Sequence, residues 1–230
     1  KNLDENNNLI IHDKSNNSIK YKIIEYLKDK NISFNFNNYF QKSLYHSFKS
    51  CNLLHDNCIS FIVTNNYSFI IDDNNLPLLN DFTFSFNFKK ISYQNLKSYF
   101  PITLLENVYI PLDVYLITYL FNNNIEEIDQ STTCLIMDTF TKIRKYISIE
   151  HILPILVYFN SYKSTQIIKY LLQFKYSWSY YCLCYFFLDN YSNLLEEYGL
   201  SNEFRLYIQC KPIERNKNII KTINNILFNI

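Results

Sequence analysis

Apolar and polar positions follow two different periods along the chain, and the change from one to the other divides it. From Ser18 to Asn31 the apolar residues Ile19, Ile23, Ile24 and Leu27 fall at the spacing of one helix face, with Ser18 placed to cap the start and Asn31 to stop it. A second helical pattern runs from about Tyr39 to His55. The period then drops to two. "CISFIV" and "YSFII" read as strands of a hairpin spanning Cys58 to Ile71 and turning at Asn65 and Asn66, residues that tolerate left-handed backbone. "DFTFSFNFKK", residues 81–90, alternates Phe82, Phe84, Phe86 and Phe88 with small polar residues, placing four rings on one face of a strand over residues 81–89 that a helix must cover.

Beyond this the pattern is helical. "IPLDVYLITYLF" begins with Pro111 where a first turn tolerates proline. Further helical segments follow in "EIDQSTTCLIMDTFTKIRKYI", "SIEHILPILVYF", "STQIIKYLLQFKY", "SWSYYCLCYFFLDN", "SNLLEEYG" and "ERNKNIIKTINNILFNI". Ser148, Ser164 and Ser177 stand at cap positions, Gly199 at a helix end, and Pro154 should kink its helix or delay its start. The expected class is α+β, mainly α: a small antiparallel sheet with two helices in residues 1–124, and a helical bundle or short helical-repeat array in residues 125–230. The repeat alternative rests on an echo between "STTCLIMDTFTK" and "STQIIKYLLQFK", thirty-three residues apart, within the range of helical-hairpin repeats.

Composition changes how these patterns are weighed. The 230 residues include 32 Asn, 31 Ile, 21 Tyr and 19 Phe against one Gly, three Arg and no Ala. Asn, Ile, Lys, Phe and Tyr can be encoded with A and T alone, so the skew points to an AT-rich genome rather than to a low-complexity function. Twenty-three of the 32 Asn precede residue 125, which places the compositional boundary at Asn124. Net charge is +1, and basic and acidic residues balance on both sides of Asn124, unlike the cationic excess of a nucleic-acid module. The longest strongly apolar run, Val108 to Phe121, contains Asp113 and is shorter than the ~20 residues a membrane span needs, so no membrane span is expected. Six cysteines, widely spread in a chain able to bury a large core, read as reduced thiols of an intracellular protein.

Candidate chemistry is sparse. One glycine cannot build phosphate-binding loops, and no dinucleotide, P-loop or nucleophile-elbow pattern is present. Asp72 and Asp73 end an apolar strand, where turn chemistry accounts for them better than a magnesium site. "WSYYCLCYFF" has no cation between Lys175 and Arg205, so it reads as a buried or interface helix rather than a base-stacking platform.

"SLYHSFKSCNLLHDNC" gathers His46, Cys51, His55 and Cys58, donor types that suit tetrahedral zinc. On a helix, however, Phe40, Leu44, Phe48, Cys51, His55 and Cys58 share an arc of roughly 80° while His46 lies opposite, and that arc reads as a core stripe. Cys51, His55 and Cys58 remain metal candidates only if the helix ends before Cys58. No cofactor is expected.

The expectation is therefore a non-enzymatic structural or protein–protein interaction subunit of a larger assembly, with other protein subunits as partners. Its abundant Tyr and Phe supply amphipathic contact surface of the kind enriched at interfaces. Two alternatives stand beside it. One is an RNA-associated helical-repeat protein of an organelle ribonucleoprotein, with Lys211, Arg215, Lys217 and Lys221 as phosphate contacts. The other is an enzyme whose site is assembled from distant residues.

Overall fold

Helix α1, Phe36–Asp56, carries the predicted stripe: Phe40, Leu44, Phe48 and Cys51 are all buried. It belongs to a computed structural model that describes residues 9–10, 36–63, 69–71, 77–79, 83–215 and 219–228. The helix expected over residues 18–31, the turn at Asn65 and Asn66, the Asp72–Asp73 pair and Phe82 lie outside these residues.

The described chain is α+β and mainly helical. Five short strands, β1 Leu9–Ile10, β2 Ile59–Phe61, β3 Phe69–Ile71, β4 Pro77–Leu79 and β5 Ser85–Asn87, form two antiparallel sheets of order β1-β3-β4 and β2-β5. The expected hairpin is thus corrected. β2 pairs with β5, Ser60 opposite Phe86, while β3 takes β1 and β4 as neighbours. Burial decides the pairing: Phe61, Ile62 and Val63 are all in the core, and the Val63 carbonyl accepts from Asn107 Nδ2 at 2.9 Å, so the chain leaving β2 is held inside. Phe86 alongside is buried with its ring edge-on to Trp178 at 5.6 Å. The Phe alternation holds in direction but not in length. Phe84, Phe86 and Phe88 all pack on the core, yet only three residues are strand.

After a single turn α2, Leu96–Tyr99, the helices are α3 Leu112–Asn122, α4 Gln130–Lys142, α5 Ile149–Phe159, α6 Ser164–Leu171, α7 Trp178–Glu197, α8 Ser201–Gln209 and α9 Ile219–Phe228. α7 is the axis of the molecule. Every residue from Trp178 to Leu188 is buried, the all-round burial that a helix without a polar face requires. α1 packs on it through Phe48, stacked on Tyr180 and Phe187, and through Phe40, which meets Phe187 and Tyr191. β2 docks by a polar contact: the Ser60 and Ser179 hydroxyls lie 2.8 Å apart, and the Phe61 amide donates to Ser179 Oγ at 3.0 Å.

The two segments expected as "SWSYYCLCYFFLDN" and "SNLLEEYG" are one helix bent at Tyr191, whose φ and ψ of −138° and 30° are not helical. Side chains take up carbonyls just before the bend. Asn190 Nδ2 donates to Phe186 O at 2.9 Å and the Tyr146 hydroxyl to Leu188 O at 2.7 Å. Gly199, at φ +69°, ends the helix as expected: the Leu200 amide reaches Leu195 O, and Gly199 N reaches Glu196 O. α8 was not anticipated, although Leu200, Phe204, Tyr207 and Ile208 are buried at helical spacing.

A single core joins the two compositional halves, running from Phe40 on α1 to Ile223 on α9. Asn124 therefore marks a change of composition, not a break in packing; it sits at φ 52° in the turn between α3 and α4. Of the helices after it, α4 packs on α5 and α8 on α7, while α6 packs back on α3.

Candidate functional site

The cysteine–histidine cluster meets the geometric condition set by the sequence. α1 ends at Asp56, and Cys58 adopts φ 62° with its amide donating to His55 O at 2.8 Å. Cys51 Sγ lies 4.0 Å from His55 Nε2. The His55 ring is edge-on to Tyr180 at 4.8 Å and to Phe88 at 6.2 Å. The Cys58 carbonyl accepts from the Phe88 amide, which takes the backbone there into the sheet. Among the described residues no three metal-ligating side chains converge. Burial pushes the Cys51 thiol well above its ordinary pKa.

All six cysteines are free. Burial pushes Cys182 up to about 12 and Cys184 well above its ordinary value, so neither buried thiol is an activated nucleophile.

The candidate RNA cations are not all at the surface. Lys211 and Lys221 are exposed and Lys217 lies outside the described residues, but Arg215 is buried. Its Nη1 is 2.9 Å from both carboxylate oxygens of Asp113, a wholly buried residue of α3. Trp178 Nε1 donates to Asp113 Oδ2 at 2.8 Å, and the guanidinium lies 4.8 Å from the Tyr181 ring centre. Burial pulls the Arg215 pKa down, but Asp113 together with Tyr181, Cys210 and Tyr207 more than offsets it and leaves the cation held above the usual arginine value. Arg215 is therefore a staple fastening the segment after α8 against α3 and α7, not a phosphate contact.

Arg144 makes a second buried staple at the end of α4. It donates from Nη1 to Phe140 O and from Nη2 to Asn107 O, each at 2.8 Å, with its guanidinium 3.8 Å from the Phe140 ring centre. Burial lowers its pKa to about 10, so it stays charged at neutral pH.

One surface breaks the rule that helices turn polar residues to water. α5 buries Ile152, Ile155, Leu156 and Phe159, and Ser148 starts it with the His151 ring: Nδ1 accepts from the Ser148 amide and lies 2.8 Å from its hydroxyl. Pro154 does not delay the start of the helix, which runs from Ile149 to Phe159 with the proline inside it and exposed.

After the first turn, every exposed position of α5 is apolar: Leu153, Pro154, Val157 and Tyr158. Ile149, Leu153 and Val157 lie at i, i+4 and i+8 and are 50 %, 38 % and 60 % exposed; Tyr158 is 56 % exposed. Tyr162, also exposed, extends the surface by stacking on Tyr158 with ring centres 5.7 Å apart. The signal was present in "SIEHILPILVYF", whose apolar residues outnumber what one buried face can absorb.

No protein-family model, curated protein or solved structure matches this chain.

Proposed function

We propose that the chain is a non-enzymatic structural or protein–protein interaction subunit of a larger intracellular assembly, and that the outer face of α5 is its contact surface. The observation that carries this reading is the run of exposed Ile149, Leu153, Val157 and Tyr158 with no polar residue among them beyond the first turn. A patch of this size and composition marks an interaction site on a folded protein. Tyr158 and Tyr162 add large side chains with a polar tip, the type that anchors interfaces.

Burial of Arg215 in an ion pair removes one of the four cations on which the RNA reading relied. The test is affinity purification from the native source of the wild-type chain beside Val157→Asp and Tyr158→Ser. The variants are expected to keep their stability and lose the co-purifying proteins. Retention of the same proteins at the same stoichiometry in both variants would overturn the assignment.

A further inference from the structure

We draw no further inference here: the strongest candidate, the exposed apolar face of α5 from Ile149 to Tyr158, belongs to the surface already described, and nothing in the structure shows what covers it.

Discussion

Removing either member of the buried pair Asp113–Arg215 should cost far more stability than removing both. In Arg215→Met, the Asp113 carboxylate keeps one hydrogen bond, from Trp178, and loses its only described counter-charge inside the core. In Asp113→Leu, the guanidinium is left against the Tyr181 ring. Breaking a fully buried pair in this way costs about 3–5 kcal/mol, against a total stability of about 5–15 kcal/mol for a domain. At about 2–4 °C per kcal/mol for a chain of this size, the midpoint of melting should fall by roughly 10 °C.

The double variant leaves no stranded charge, and buried pairs replaced by apolar groups of similar volume are often neutral. It should therefore lie within about 2 kcal/mol of wild type, giving a coupling energy of several kcal/mol in the double-mutant cycle. Trp178 reports the transition directly, being the one tryptophan, fully buried, and bonded to Asp113 itself. Urea unfolding followed by its fluorescence measures all four proteins. Single variants costing less than about 1 kcal/mol, or a double variant costing the sum of the two, would refute the staple.

Other consequences follow from the same core. Stability should decline steadily above about pH 9: burial pushes Cys182 and Tyr109 up to about 12 and raises Tyr181, Tyr185 and Tyr207, so the folded state retains protons that the unfolded state releases. Each such group contributes a loss of up to about 1.4 kcal/mol per pH unit between its unfolded and folded pKa values, and a flat profile to about pH 11 in urea titrations would contradict this. Ser179→Ala should cost about 1 kcal/mol in the same assay, because the buried Phe61 amide and Ser60 hydroxyl lose their shared partner while Ser60 keeps the Lys175 carbonyl; a neutral result would mean Ser179 adds nothing to the docking of β2. Adding zinc or a chelator should leave the melting temperature unchanged, and a rise with zinc that Cys51→Ala abolishes would restore the metal reading.

What was legible in the sequence was what depends on near neighbours. The α1 stripe through Phe40, Leu44, Phe48 and Cys51, the buried α7 and the Gly199 stop are set by residues within a few turns. The partner of β2 was not, because "CISFIV" fits any strand of complementary pattern, and the choice of β5 follows from the burial of Ile62 and Val63. The staple was hidden for the same reason. Its two charges lie 102 residues apart, and the visible hint was Asp113 standing alone in an apolar run. Arg215, grouped with nearby lysines by sequence, is buried while Lys211 and Lys221 are exposed. The outer face of α5 was visible as an excess of apolar residues, but which of them faced outward depended on where α5 met α4.

The central claim, that this face of α5 is covered in the working assembly, is tested most directly by labelling thiols in the intact native complex. In a Cys134→Ser chain carrying Val157→Cys, the thiol introduced at position 157 should react with a bulky maleimide at least ~10-fold more slowly than one introduced by Ile213→Cys, which is comparably exposed in the lone chain. Equal labelling rates at the two positions would show the face open to solvent and contradict the account.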